Sequence, residues 1–120
     1  MTVLEEIAAE RARQISAEGW TPAHDDTHNT GDLAAAAACY AYGAAEVQSN
    51  YLAMTKTQTQ PPLSVWPWLE RWWKFTDPRR ALIKAGALIV AEIERLDRAN
   101  AQAASGSATV VSNGENERPK

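Results

Sequence analysis

Cysteine and histidine are scarce in this sequence of 120 residues, which contains one cysteine and two histidines. The single cysteine, Cys39, excludes an internal disulfide, and its alanine-rich surroundings are typical of a cysteine that packs as a small apolar residue. Blocks of like charge are also missing: 12 basic and 15 acidic residues are spread along the chain and give a formal net charge of −3. Without a basic patch, we expect no nucleic-acid partner.

Long apolar runs are missing as well. No stretch approaches the ~20 residues that a helix needs to span a bilayer, and residues 1–13 contain no apolar segment of the signal-peptide type. We therefore expect a cytoplasmic protein with no membrane partner. A chain of this length is expected to form one domain around a single small core.

The helical spacing of apolar residues predicts an all-α fold with three long helices. The first is predicted over residues 3–18, and Gly19 is placed as its stop. Its apolar stripe consists of Leu4, Ile7, Ala8 and Ile15. Residues 20–31 are predicted as a loop. The second helix is predicted from Asp32 onward, as far as Met54, and its alanine-rich run lets another helix approach closely.

The third long helix is predicted to form the centre of the core. Asp77 suits its N-cap and Pro78 its first position. The wide apolar stripe that follows consists of Leu82, Ile83, Gly86, Ala87, Ile89, Val90, Ile93 and Leu96. A stripe this wide is typical of a central helix. The helical domain is therefore predicted over residues 1–103, and residues 104–120 have the composition of a disordered tail.

The sequence is rich in tryptophan, with five in all and four of them in the tryptophan segment, residues 66–73. Pro67 fits the first turn of a short helix that ends near Lys74. On such a helix, Trp68 and Trp72 would lie one turn apart on the same side. A short tryptophan-rich helix thus completes the predicted fold.

The tryptophans allow two interpretations. Aromatic faces stack on planar rings such as nucleobases. The basic residues nearby, which can meet phosphates, are Arg71, Lys74, Arg79, Arg80 and Lys84. Arg79 and Arg80 fall in the first turn of the third long helix, where backbone amides already favour anions. Exposed aromatic residues and arginines are equally typical of a protein interface.

The stretch EGWTPAHDDTH, residues 18–28, contains both histidines. Imidazoles and carboxylates ligate divalent metals, which allows the hypothesis of a metal-dependent nucleotide hydrolase. The candidate ligands are His24, Asp25, Asp26 and His28. Metal-dependent phosphohydrolases with an HD dipeptide need further histidines from distant helices, and this chain has none. The alternatives are a structural role, in which Asp and Asn side chains bond loop amides and cap helices, and direct contact with a ligand.

A second carboxylate pattern lies near the end of the third long helix. Glu94 and Asp97 form an ExxD pair on one face, as in the all-helical nucleotide pyrophosphohydrolases. The ExxE helix that accompanies the pair in those enzymes is missing here. With Arg95 and Arg98 adjacent, an exposed ion-paired face is the better account.

Two long segments carry a resemblance to a known group of proteins. They are ERARQISAEGWTPAHDDTHNTGDLAAAAACYA and WPWLERWWKFTDPRRALIKAGALIVAEIERLDR. They resemble a largely uncharacterised family of short proteins encoded by tailed phages and prophages, over residues 4–98. The resemblance implies a phage accessory protein that acts in the cytoplasm of the host bacterium.

The chain is also similar, more weakly, to the RyR domain, the module repeated in ryanodine receptors. The residues that follow the order of that module are Gly19-Trp20, Asp25 or Asp26, Trp66-Pro67-Trp68, Lys74 and Asp77. This similarity implies a ligand derived from a nucleotide.

We therefore predict a non-enzymatic binding module for a nucleotide-like small molecule, with no metal, other cofactor or catalytic residue assigned. The predicted pocket residues are Trp20, His24, Asp25, Asp26, Trp66, Trp68, Arg79 and Arg80. Tryptophan would stack on rings, arginine would bind phosphates and aspartate would bind ribose hydroxyls. In a phage protein, such binding would sequester a host defence signal. The alternatives are a metal-dependent nucleotide hydrolase and a homo-oligomeric or host-protein interaction protein, whose interface would be the alanine-rich helix and the tryptophan segment.

Overall fold

The computed structural model describes residues 1–27, 30–49 and 57–106. These residues form helices and turns and no strand, so the fold of the described chain is all-α, as predicted. The α-helices are, in chain order, α1 (Val3–Glu18), α2 (Pro22–Asp25), α3 (Asp32–Gln48) and α4 (Pro78–Gly106). In the described ranges, no helix is long and apolar enough to cross a bilayer.

The long helices begin and end where local signals place them. At the start of α1, the Glu5 N–H donates to Thr2 Oγ1 at 3.1 Å and the Thr2 N–H donates to Glu5 Oε1 at 2.7 Å, which is a complete capping box. Gly19 ends α1 with a φ of 75°, a left-handed conformation that glycine adopts without strain. Before α4, the Asp77 carboxylate accepts from the Arg80 N–H at 2.9 Å.

Helix boundaries differ from the prediction in three places. Residues 20–31 are not all loop, because Thr21 Oγ1 accepts from the His24 N–H at 3.2 Å and Pro22 begins the short helix α2. The second helix does not continue unbroken towards Met54, because α3 ends at Gln48 and Ser49 has an extended backbone. At the other end, α4 continues to Gly106, past the boundary predicted at residue 103. Residues 50–54 and the rest of the predicted tail, residues 107–120, lie outside the described residues.

The short tryptophan-bearing helix is a single 3-10 turn, Glu70–Trp72, and is shorter than predicted. The helix is short because several indoles of the tryptophan segment contact the core. Trp73 is buried in the core, and Trp66 and Trp68 pack against it. On one regular helix, Trp68 would point about 200° away from Trp66, so an irregular backbone is needed to bring both rings inward.

The core lies between α3 and α4, with aromatic rings packed over one side. The small residues in it are Ala36, Ala37 and Ala44 of α3 and Ala81, Ala85 and Ala91 of α4. Alanine lets the two backbones approach closely, and larger rings fill the space beside them. Tyr40 stacks on Trp73 with ring centroids 4.5 Å apart, and Trp73 stacks on Phe75 at 5.9 Å.

The predicted apolar stripe of α4 is only partly its buried face. Ile83 and Ala87 are buried, but Leu82, Ile89 and Ile93 are 47%, 50% and 53% exposed. Apolar residues lie on more than one side of this helix, so their periodicity does not decide which side faces inward. Close packing on the alanine-rich α3 selects the side with small residues instead.

The apolar stripe of α1 is not the buried face of that helix, since Leu4 is 77% exposed and Ala8 is exposed, whereas Ile7 and Ile15 are half-buried. The buried residues of α1 are Glu10, Arg11 and Gln14. Glu10 pairs with Arg80 of α4 and Arg11 pairs with Asp25 of α2, and that pairing determines how α1 is oriented.

Glu10 is the centre of this polar contact. Its carboxylate accepts from Arg13 at 2.8 and 2.9 Å, from Gln14 at 3.2 Å and from Arg80 of α4. Burial alone would raise the pKa of Glu10, but the hydrogen bonds and charges of Arg13 and Arg80 outweigh it and lower the pKa. The ionised carboxylate is therefore the form that joins α1 to α4.

We expect Glu10→Gln to lower the free energy of unfolding by about 2 kcal/mol at neutral pH, because it removes the charge that two arginines share. The folded-state pKa of Glu10 lies below the ordinary value of 4.5. Its contribution is therefore complete above that pH and is lost as the pH falls through the folded-state pKa. Urea unfolding as a function of pH should show the difference between variant and wild type shrinking in acid.

Glu70→Gln, at an exposed carboxylate of the 3-10 turn, is the matched control and should change stability little at any pH. A deficit in Glu10→Gln that does not vary with pH would contradict an ionised carboxylate at the centre of the contact.

Candidate functional site

A groove of about 710 Å³ opens between the end of α1, the helix α2 and the tryptophan segment. It is called the tryptophan groove here, and its lining residues are Glu18, Trp20, His24, Pro67, Trp68, Leu69 and Trp72. Small-molecule sites in proteins are typically about 300–1,000 Å³ and mostly apolar with a few polar groups. The tryptophan groove has both properties.

The indoles of the groove are held by a chain of ring contacts that leads into the core. The ring centroids of Trp20 and Trp68 lie 5.3 Å apart, and the same distance separates Trp68 from Trp66. Trp66 in turn meets Trp73 edge-on at 5.1 Å. Such tilted and edge-on contacts are the favourable geometries for aromatic pairs, so the groove wall is fixed by the core behind it.

Trp72 is the most exposed ring of the groove, at 44%. Two cations lie over it: the guanidinium carbon of Arg71 is 5.6 Å and the Lys74 Nζ is 5.4 Å from the ring centroid. Lys74 also lies 3.9 Å from the carboxylate of Glu18. The groove therefore combines aromatic surface with positive charge at Trp72 and a carboxylate at Glu18.

Charged side chains from α1 and α4 position the wall that carries Trp20. The Arg11 guanidinium donates to the Trp20 carbonyl at 3.2 Å and to the Asp25 carboxylate at 2.6 Å. From α4, Arg98 donates to Asp26 at 2.7 Å and to the Pro22 carbonyl at 3.2 Å. The two neighbouring aspartates thus hold α2 in contact with two helices, Asp25 with α1 and Asp26 with α4.

The structure brings together three of the predicted pocket residues, Trp20, His24 and Trp68, in the lining of the groove. Trp66 lies behind them in the ring chain. The other four are occupied elsewhere: Asp25 with Arg11, Asp26 with Arg98, Arg79 with Glu6 and Arg80 with Glu10. Each of these four makes an ion pair that the sequence pattern did not indicate.

Four lining residues were not among the predicted pocket residues: Glu18, Pro67, Leu69 and Trp72. Trp72 is the member that the sequence could have indicated, because its neighbours Arg71 and Lys74 form a cation–aromatic cluster within a few residues. Glu18 offers no such signal, since a glutamate at a helix end is ordinary. Its place in the groove depends on how α1 packs.

A second, small cavity of about 20 Å³ lies behind the groove and shares Glu18, Trp20 and Trp72 with it. Gln14 lines this cavity, and its Oε1 is buried without a hydrogen-bond partner among the described residues. Lys84 also lines it, and burial lowers the pKa of that amine. The space is large enough for one water-sized group, and these two side chains make its lining partly polar.

The arrangement of the aspartates bears on the metal hypothesis. Among residues 1–27, 30–49 and 57–106, no group of three or more His, Cys, Asp and Glu side chains could hold a metal ion. His28 lies outside the described residues. Asp25 and Asp26 each face a guanidinium, a positive group that disfavours a second cation beside it. Burial raises the pKa of Asp25, and the charge of Arg11 opposes that rise.

Comparisons with known proteins add no relative: no family model, curated protein or solved structure matches the chain. The resemblance to short phage proteins and the similarity to the RyR domain therefore stay predictions.

The neighbouring aspartates give a direct test of how α2 is held. We expect Asp25→Asn to lower the free energy of unfolding by about 3 kcal/mol, because the buried Arg11 then keeps only the exposed carboxylate of Glu94, 3.5 Å away, as a counter-charge. Asp26→Asn should cost less than about 1 kcal/mol, because its ion pair with Arg98 is exposed. Urea unfolding followed by tryptophan fluorescence measures both. Equal losses would show that the buried ion pair does not hold the groove wall.

Proposed function

We propose that this protein binds a nucleotide-like small molecule in the tryptophan groove, without transforming it. The observation that supports this proposal is the wall itself, in which the indoles of Trp20, Trp68 and Trp72 line one open space. Indole faces stack on nucleobases with little regard to their sequence or substituents. A wall built mainly of rings, with few polar groups, is suited to holding a planar ligand.

The polar groups of the groove suit the rest of such a ligand. Arg71 and Lys74 lie beside Trp72, and the Lys74 side chain is 52% exposed. A base stacked on Trp72 would place its phosphates within reach of these two cations. Neither cation is among the lining residues, but both lie over the ring of Trp72, which lines the groove. Arg79 and Arg80, which were predicted to line the pocket, are instead paired with Glu6 and Glu10.

Glu18 provides a hydrogen-bond acceptor for the edge of a base or for ribose hydroxyls. Its side chain is 17% exposed and is fixed by Arg13 at 3.1 Å. A carboxylate already held in position loses little side-chain entropy when a ligand binds. The sequestration of a host defence nucleotide is the biological role that we attach to this site, and it depends on the resemblance to phage proteins.

A panel of linear and cyclic nucleotides tests the proposal by thermal unfolding. A ligand that binds only the folded state raises the melting temperature, because it stabilises that state by RT ln(1 + [L]/Kd), where [L] is the free ligand concentration. Fluorescence titration of the tryptophans then gives Kd. Comparing each nucleotide with its nucleoside measures the contribution of the phosphates.

We expect Trp72→Ala to weaken binding by about tenfold or more, because stacking on one aromatic residue contributes about 1–3 kcal/mol. Tyr42→Ala is the matched control. Tyr42 is similarly exposed at 46% but lies on α3 and does not line the groove. No melting shift with any member of the panel, or equal affinity in wild type and Trp72→Ala, would contradict the proposal.

A further inference from the structure

A buried hydrogen-bond acceptor lies beside the tryptophan groove and is not used by the fold. Gln14 of α1 is 2% exposed, and its Oε1 has no hydrogen-bond partner among the described residues. Most buried acceptors in folded proteins have a partner, because leaving one unpaired costs free energy. Gln14 lines the small cavity of about 20 Å³ behind the groove, which we name the Gln14 cavity.

The orientation of the Gln14 amide follows from its neighbour on α1. Its Nε2 donates to Glu10 Oε2 at 3.2 Å. The opposite orientation would direct the amide oxygen at an ionised carboxylate, which has no proton to donate. The atom that Gln14 keeps for the cavity is therefore an acceptor, and only a donor can satisfy it.

The donors that line the Gln14 cavity already have partners within the protein. The Lys84 ammonium donates to the Lys74 carbonyl at 2.6 Å. The Tyr40 hydroxyl accepts from the Lys74 N–H at 3.1 Å. The polar group of the cavity that is left over is thus the oxygen of Gln14.

The carboxylates that line the cavity cannot satisfy this oxygen, because an ionised carboxylate only accepts. Both are held by one guanidinium, since Arg13 lies 2.8 Å from Glu10 and 3.1 Å from Glu18. A carbonyl oxygen of a ligand would have the same defect as the carboxylates. An N–H or O–H group of a ligand would meet acceptors.

The Gln14 cavity adjoins the tryptophan groove. Glu18, Trp20 and Trp72 line both spaces. The Gln14 carbonyl also accepts from the Trp20 N–H at 2.9 Å, so the residue that lines the cavity fixes the groove wall next to it. A ligand ring that lies along the shared side chains has the cavity directly beside it.

Size limits what the cavity can receive. A space of about 20 Å³ holds one water-sized group, which excludes a ring or a phosphate. An exocyclic amino group has this size, projects from the edge of a planar ring and donates hydrogen bonds. A ring N–H donates but does not project, and a carbonyl oxygen projects but has no proton.

We propose that the Gln14 cavity receives the exocyclic amino group of the bound base, so that the groove prefers amino-bearing nucleotides to those with a carbonyl at the same ring position. Gln14 is then the residue that determines base specificity. This inference rests on the proposed binding of a nucleotide-like molecule in the tryptophan groove, and it adds the class of base.

Matched pairs of nucleotides that differ at the amino group test the proposal on the full chain. The pairs are AMP with IMP and CMP with UMP, titrated by tryptophan fluorescence. In each pair that binds, we expect the amino-bearing member to bind about tenfold more tightly or better, because its partner leaves the buried Gln14 oxygen unpaired. Equal affinities within the pairs, as expected if water alone occupies the cavity, would overturn this inference and leave the proposed function standing. Absence of binding by every nucleotide would contradict the proposed function, and this inference with it.

Gln14→Met tests the residue, because it keeps the length of the side chain and removes the acceptor. We expect it to weaken AMP binding by about tenfold, to change IMP binding little and so to bring the ratio of the two affinities near one. Gln48→Met is the matched control, since Gln48 lines neither the cavity nor the groove, and it should keep the wild-type ratio. A wild-type ratio in Gln14→Met would overturn the assignment of Gln14. Equal weakening of AMP and IMP would indicate a ribose hydroxyl at Gln14 and overturn the assignment of the amino group. The wild-type comparison decides the preference even if Gln14→Met does not fold.

Discussion

The structure depends on charged side chains that α1 buries against the rest of the protein. Glu10 pairs with Arg80 at the start of α4, and the next residue, Arg11, pairs with Asp25 of α2 and with Glu94 further along α4. Removing charges from water is costly, and such a contact is favourable only if each charge meets a partner in good geometry. Unlike an apolar face, which tolerates sliding, these pairs define one position for α1.

The position of α1 determines where one wall of the tryptophan groove lies. The Arg11 guanidinium binds both the Trp20 carbonyl and the Asp25 carboxylate, so the wall of the groove is anchored to the same residue that anchors α1. On the opposite side, the tryptophan segment is anchored to the core by stacked and edge-on rings. Two rigid supports of different chemistry, one ionic and one aromatic, therefore face each other across an open space. Preorganisation of this kind lowers the entropic cost of binding a ligand.

Polar anchoring of α1 also explains the exposed apolar side of α4. Since α1 is oriented by charge, its own aliphatic residue Leu4 and the α4 residues Leu82, Ile89 and Ile93 are left on the surface. The described residues thus leave two surfaces of different character exposed. One is concave, aromatic and flanked by cations, and the other is aliphatic. The chemistry of the first suits a planar small molecule.

The sequence alone determined the all-α class and the places where the three long helices begin and α1 ends, because capping residues such as Thr2, Gly19 and Asp77 act over three or four residues. It also predicted that Trp20, His24 and Trp68 share one pocket. Only the tertiary structure decided which side of each helix is buried, since α4 carries apolar residues on more than one side and α1 pairs its charges with residues far along the chain. The same long-range pairing removed Asp25, Arg79 and Arg80 from the predicted pocket. Local signals determine where helices form, but charged side chains meet distant partners only when the chain has folded.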